Sequence, residues 1–476
     1  MLFNSYGFLC FFPLICILYW GIRAISKNGE KTLTIRNLLL LAGSYYFYMC
    51  WQPKYALLLL LSTAVTYGAA LLISNSKTKP QKKTWLVAAI VLNLAILFFY
   101  KYYGFVTNTI TNTFNAMGIA INIPGLDVLL PVGISFYIFQ ALGYSIDVYR
   151  GDIKAEKNFF TYALFVSFFP QLVAGPIERS TNLLNQFKED HEFNYDFAIS
   201  GFKLMLWGYF MKLCMADRAA LYVDKVFNNL DNHEGYSTLL ASFMFTLQIY
   251  GDFAGYTFIA IGCARILGFS LHDNFRRPYF ATSITDFWRR WHISLSTWFR
   301  DYIYFPLGGS RTTKGKTYRN LLITFGISGI WHGANWTFIL WGVIHGVVQC
   351  IERACGLNKK EWHSWKKALR IAITIFIINL AWVLFRANSI NDAITAICQM
   401  FSPSDFTLSL GKLWLSMTMI SASIIFIYEY IEEHQVNKLA IFNNKIISNY
   451  VWPTFLLVCI GGLGVFEGGQ FIYFQF

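Results

Sequence analysis

The chain has 476 residues, of which 55% are hydrophobic, 18% aromatic and only 14% charged, with a formal charge of +13. A soluble domain carries roughly 25% charged residues, so lipid must solvate much of this chain; a secreted soluble enzyme, a disordered protein and a fibrous repeat are excluded. The excess of 39 Lys and Arg over 26 Asp and Glu finds its plainest cause in basic loops on the cytoplasmic side of a membrane, not in a nucleic-acid partner.

Apolar runs long enough to cross a bilayer recur near 6–25, 37–52, 55–74, 84–103, 128–149, 158–176, 196–216, 236–267, 320–351, 368–387, 412–431 and 448–466. No soluble domain fits between them, and no internal repeat is visible. The expected fold is all-α: one polytopic membrane domain over 1–476, with about 11–13 membrane helices, a re-entrant or broken-helix core and an interfacial amphipathic helix. The first run, Tyr6 to Ile22, contains Pro13 and lacks both a basic start and a small-residue cleavage site, so it does not read as a cleaved signal peptide. The nine cysteines form no CxxC pair and sit mostly in apolar runs. They read as small buried hydrophobes, not as a disulfide frame or a metal site.

Charge orients the runs. The loop Arg23–Arg36 carries four basic residues and one acid, and Asn75–Thr84 carries Lys77, Lys79, Lys82 and Lys83 with no acid. Two crossings separate these loops, so both are expected on the cytoplasmic side, with the N-terminus outside. Gly104–Leu130, with the single charge Asp127, is placed outside; Arg150, Lys154 and Lys157 return inside; Asn388–Gly411 has no basic residue and reads as outside, as does the C-terminus.

Within 158–176, the stretch Ser167–Arg179 holds Pro170, Gly175 and Pro176. A helix broken there exposes backbone that must face a cavity or be wrapped by protein. Asp252 is a lone acid in an apolar run, suited either to orient a base or to join a structural ion pair.

The segment Phe269–Arg319 is strongly basic, with Arg276, Arg277, Arg289, Arg290, Arg300, Arg311, Lys314, Lys316 and Arg319. Ser283 followed three residues on by Asp286 marks a helix start. From there Ile284, Phe287, Trp288, Trp291, Leu295, Trp298, Phe299 and Tyr302 recur every three or four residues, which predicts one amphipathic helix at the membrane interface. His292 falls at the edge of its apolar stripe.

The run 320–351 is flanked by Arg319 on one side and by Arg353, Lys359 and Lys360 on the other. Two short arms meeting within the membrane near Gly333 return the chain to the cytoplasmic side, whereas one long helix would invert everything downstream. That hairpin places His332, in Trp331-His332-Gly333, near its tip. An ionisable group at membrane depth is costly and suggests a functional site, and a neutral imidazole is a competent general base; a histidine hydrogen-bonded between helices is the structural alternative. His292 is the second candidate, against an ordinary interfacial role. His345 reads as packing, and His191, His233, His272, His363 and His434 fall in polar loops. No HxxxH or Cys/His cluster supports a metal. No nucleotide-binding loop or GxSxG elbow occurs.

Phe168–Ile177, Ile284–Gly309, Ile330–Phe338 and the closing Phe471-Ile472-Tyr473-Phe474-Gln475-Phe476 resemble the membrane-bound O-acyltransferase superfamily, most of all its bacterial branch for alginate and other polysaccharide O-acetylation. The block Asp286–Ser296 together with Trp331-His332-Gly333 is the most specific part, and the likeness runs over nearly the whole chain. It implies a helical membrane domain with a funnel on each face, joined by a narrow channel. It implies His332 as the catalytic histidine and His292 as the second. It implies acyl transfer from a cytoplasmic thioester, acetyl-CoA or an acyl carrier, to a hydroxyl of an extracytoplasmic polysaccharide, through a secreted or membrane-anchored acetyltransferase partner, in the bacterial cytoplasmic membrane. Arg289, Arg290, Arg300, Trp288 and Trp291 become candidates for the donor site, with plain positive-inside charge as the alternative for any one arginine. One departure is visible: Ala254-Gly255-Tyr256-Thr257-Phe258 lacks the acid that the branch commonly has there. A D-alanyl transferase for teichoic acid, a membrane transporter and a scaffold for polysaccharide export are the competing readings.

Overall fold

The computed structural model describes residues 1–26, 29–121, 123–126, 129–173, 175–233, 235–360, 362–402, 410–434, 444–466 and 471–472, without the side chain of Lys359. The expectations that rest on Lys27, Asp127, Ala174 and 473–476 lie outside the described residues. Every regular element among the described residues is helical. The chain divides into two compact units, one formed by Met1–Phe202 with Ala260–His272, the other by Lys203–Ile259 with Asp273–Phe476.

The N-terminal part contributes α1 (Tyr6–Ile25), α2 (Gly29–Met49), α3 (Ala56–Asn75), α4 (Lys79–Leu97), α5 (Tyr103–Ala116), α6 (Ile134–Arg150), α7 (Phe159–Ser167) and α8 (Phe169–Leu172). The first basic loop is shorter than the charge pattern suggested. Arg36 lies inside α2, fully buried, with its guanidinium 3.9 Å from the Tyr19 ring centre and 2.8 Å from Asp190. It is committed to this half-buried ion pair and does not mark a loop.

The expected break in 158–176 is present between α7 and α8. Pro170 follows the break, and the amide of Phe169 turns to the Ser44 hydroxyl at 3.0 Å. The freed Phe165 carbonyl accepts from the Gln140 and Gln171 side-chain amides at 2.5 and 2.9 Å. Of the two outcomes open for this backbone, protein wraps it.

Then follow α9 (Tyr195–Tyr209), α10 (Asp217–Phe227), α11 (Tyr236–Ile266), α12 (Ile284–Arg290), α13 (Ile293–Phe299), α14 (Lys314–His332), α15 (Trp336–Ala354), α16 (Ser364–Arg386), α17 (Ile390–Met400), α18 (Lys412–Glu433) and α19 (Trp452–Leu463). Among the described residues, five helical stretches are long and apolar enough to cross a membrane: Tyr6–Ile25, Pro53–Asn75, Lys79–Ala116, Ser364–Arg386 and Lys412–Glu433. Two other runs in the expected set, 158–176 and 320–351, are interrupted, between α7 and α8 and between α14 and α15, whereas 236–267 forms the single helix α11. Cys214 and Cys263 are buried as expected, but Cys10, Cys50, Cys355 and Cys398 are exposed, and all nine are free thiols. An apolar membrane helix has an outward face, so an apolar run does not by itself bury a cysteine inside the protein.

Candidate active site

The aromatic segment departs from the expected single helix. α12 begins where Ser283 Oγ accepts the Asp286 amide at 3.0 Å, as the sequence indicated. A second cap comes from α15: the Glu352 carboxylate accepts the amides of Ile284 and Thr285 at 2.6 and 2.9 Å and the Thr285 hydroxyl at 2.8 Å. α12 then stops at Arg290, and His292 adopts a left-handed backbone with φ of 43° before α13. A non-glycine residue pays strain for that conformation. The loop before α12 stabilises it, because the Ile293 amide bonds to Asn274 O at 3.0 Å and the Arg276 amide to Arg290 O at 2.9 Å. The stripe Ile284, Phe287, Trp291, Leu295 and Trp298 is buried against protein.

The same break turns His292 fully inward. Its Nδ1 lies 3.2 Å from Asn274 Oδ1, which also accepts the Ser294 amide at 3.1 Å and the Ser294 hydroxyl at 2.9 Å. A backbone amide can only donate, so the oxygen end of Asn274 faces the site. His292 Nδ1 must then carry the ring proton, and Nε2 is left as the acceptor. Burial pushes this imidazole down to about 3, so it is neutral. A neutral ring presenting an acceptor can hold a hydroxyl; to polarise a carbonyl it would have to donate.

His332 is the last residue of α14, and Gly333-Ala334-Asn335 leads directly into α15, where Asn335 caps by accepting the Thr337 amide at 3.0 Å. The expected hairpin is therefore present, with His332 at its tip. Gly333 is required by close approach: a Cβ there would stand 2.2 Å from the Phe338 ring. His332 is 3% exposed and boxed by Trp331, Trp341 and Phe385, with ring centres 4.9, 4.8 and 5.4 Å away. Trp331 also stands 6.0 Å from His292, so one indole separates the two candidate histidines.

A cavity of about 390 Å³ opens beside them, between α12–α13 and α14–α15. Its walls include Trp288, Phe325, Leu321 and Ser328, and its polar groups include Arg289, Arg300, Gln349 and Arg353. Ser328 lies one helical turn before His332 on α14, and Ile293 directly follows His292, so the cavity ends within a turn of each histidine. Neither histidine lines it.

The structure thus brings Trp288, Arg289 and Arg300 to one cavity, and places Arg290 and Trp291 elsewhere. Arg290 bonds Asp286 at 3.0 Å and Glu433 at 2.9 Å, and Arg277 shares Glu433 at 2.8 Å. Trp291 sits among Phe275, Phe287 and Trp382. Asp252 takes the ion-pair role: Lys212 lies 2.6 Å from it and 2.7 Å from Asp217, and its other oxygen accepts the Ile472 amide at 2.7 Å. Gln349, Glu352 and Arg353 were missed as site residues. Their one signal was position: they follow His345 by four, seven and eight residues, on a single face of α15.

Comparisons with known proteins bear on the family. Residues 152–391 match the model of the MBOAT, membrane-bound O-acyltransferase family. The chain is 40% identical over 412 residues to a protein of Pseudomonas syringae pv. tomato named probable alginate O-acetylase, covering 86% of this chain and 77% of that one. It is 35% identical over 425 residues to the peptidoglycan O-acetyltransferase of Helicobacter pylori, covering 83% and 79%. The teichoic acid D-alanyltransferase of Bacillus subtilis is more distant, at 28% over 272 residues, covering 53% and 68%. With both histidines and the cavity inside or beside the matched region, this chain is an acyltransferase and belongs to the membrane-bound O-acyltransferase family.

Proposed function

We propose that this multi-pass enzyme moves an acetyl group from a cytoplasmic thioester, acetyl-CoA, to a hydroxyl of an extracytoplasmic polysaccharide, by way of a secreted or membrane-anchored acetyltransferase partner. The bacterial cytoplasmic membrane is its site, with both termini outside. The observation that carries this reading is the cavity: three arginines and an apolar wall, ending one turn from His332. Arg289, Arg300 and Arg353 suit the phosphates of coenzyme A or of a carrier's phosphopantetheine, and Trp288, Leu321 and Phe325 suit the uncharged arm that ends in the thioester.

In this reading His332 takes the proton of the acceptor hydroxyl, and the hydroxyl oxygen attacks the thioester carbon. The C–O bond forms, the C–S bond breaks, and the leaving thiolate takes the proton back from His332. His292, neutral and offering Nε2, positions the acceptor hydroxyl. The reaction needs no metal. The alginate and peptidoglycan O-acetyltransferases among its relatives support an acetyl group over D-alanine.

The test is thioester turnover by the full chain in lipid nanodiscs, with labelled acetyl-CoA, for wild type and His332→Ala. Turnover by wild type and its loss in the variant, with unchanged membrane insertion, is expected. Full activity of His332→Ala would sink the base assignment. Turnover from a D-alanyl carrier protein but not from acetyl-CoA would replace the donor.

A further inference from the structure

We propose that His345 is a positioning residue for this transfer: it holds the Trp288 indole in place as the wall of the donor cavity. The inference rests on the donor reading above and adds a residue that the sequence assigned only to packing.

His345 is 1% exposed on α15, and its Nδ1 accepts the Trp288 indole N–H at 3.3 Å, with the rings edge-on at 5.2 Å. Trp288 lines the cavity. On the other side Trp341, fully buried, stands 4.9 Å from His345 and 4.8 Å from His332. One imidazole therefore touches both the indole that shapes the donor space and the indole that backs the base.

Packing alone does not account for a histidine here. With Nδ1 accepting, Nε2 carries the proton, and this buried nitrogen finds no partner among the described residues. A buried, unsatisfied polar atom lowers stability, so an apolar ring would fill the space at lower cost. What an apolar ring lacks is the acceptor. An indole has a single N–H and no acceptor. Without His345 that N–H must seek another partner, and the open space beside it is the cavity. The indole would turn into the donor's place, weakening donor binding while leaving His332 able to act.

The test compares His345→Phe, which keeps the ring and loses the acceptor, with His345→Asn, whose amide oxygen can stand where Nδ1 was. Full-length protein in nanodiscs is used, with acetyl-CoA as donor and ¹⁵N-indole labelling, the Trp288 resonance being assigned through Trp288→Phe. In His345→Phe the KM for acetyl-CoA should rise about tenfold or more while kcat stays within about threefold, the pattern of lost ground-state binding. His345→Asn should restore the KM. In a Trp288→Phe background His345→Phe should add nothing further. The Trp288 indole resonance, read without donor, should move in His345→Phe and return in His345→Asn. Equal defects in both variants, a kcat loss at unchanged KM, or an unmoved resonance would each overturn the proposal. A wild-type protein that turns over no acetyl-CoA would overturn the donor assignment instead, and the resonance would still decide whether His345 holds Trp288.

Discussion

Replacing Gly342 by alanine tests whether the close seam of the α14–α15 hairpin sets the geometry of the site. A Cβ on Gly342 would stand 2.3 Å from the Phe325 carbonyl oxygen and 3.0 Å from Gly329 Cα, and a Cβ on Gly329 would stand 2.4 Å from the Phe338 carbonyl oxygen. Ordinary contact begins at 3.4 Å, and the obstructing atoms are backbone, so they cannot rotate away. The arms must part by about 1 Å, and overpacking of this kind costs about 1–3 kcal/mol. Alanine's better helix propensity offsets about 1 kcal/mol of that. Net destabilisation should therefore be modest, about 0–2 kcal/mol. The rate should suffer more. Ser328 and His332 ride on one arm, Trp341 and Gln349 on the other, and a 1 Å misplacement at a reacting centre costs about 100-fold. Gly326→Ala is the control: it lies on the same α14 with nothing within 4 Å, so it should leave the rate unchanged and stabilise slightly. Thioester consumption and thermal unfolding in nanodiscs measure both quantities. A Gly342→Ala protein that turns over like wild type would refute the claim that the seam positions His332.

Three further outcomes are expected. Lys212→Met leaves Asp217 and Asp252 buried at 3% exposure without their cation, which should cost about 3–5 kcal/mol in thermal unfolding; adding Asp217→Asn and Asp252→Asn should recover most of it, and a fully stable single variant would contradict the triad. Because burial depresses His292 from 6.5 to about 3, between those values the unfolded chain binds a proton that the folded chain refuses. Stability should be greatest above 6.5 and fall as pH drops below it, and His292→Asn should flatten that slope in unfolding scans from neutral to acid pH. Glu352→Ala orphans the Ile284 and Thr285 amides at the start of α12, at about 1–3 kcal/mol each; it should also raise the donor KM, whereas Ser389→Ala, which removes the Asp392 amide's cap on α17, should lower stability and leave the KM alone.

The hairpin was legible because charge constrains topology over long distances. Arg319 and Arg353 must share a side, so the apolar stretch between them has to return, and Gly333 supplies the place. The break at His292 was not legible. Apolar residues keep their helical spacing straight through it, so the local pattern argues for continuity. What breaks the helix is the Asn274 segment, eighteen residues earlier in the chain, which takes the amides of Ile293 and Ser294. Neighbouring arginines separate for a similar reason. Arg289 reaches the cavity while Arg290 turns to Glu433, 143 residues away, a partner that no sequence window contains.

The single face of α15 explains how so few residues organise the proposed donor site. His345 meets Trp288, Gln349 and Arg353 line the cavity, and Glu352 caps α12. The cap fixes where α12 begins, and Trp288 and Arg289 follow within four and five residues of it, little more than one turn. Their positions are therefore set from both ends: by Glu352 at the helix start and by His345 at the indole itself. α14 meets the same α15 face through glycines, with Ser328 and His332 on its near side. The cavity wall, the arginine rim and the proposed base His332 are thus all referenced to one helix, with no direct contact between His332 and the cavity.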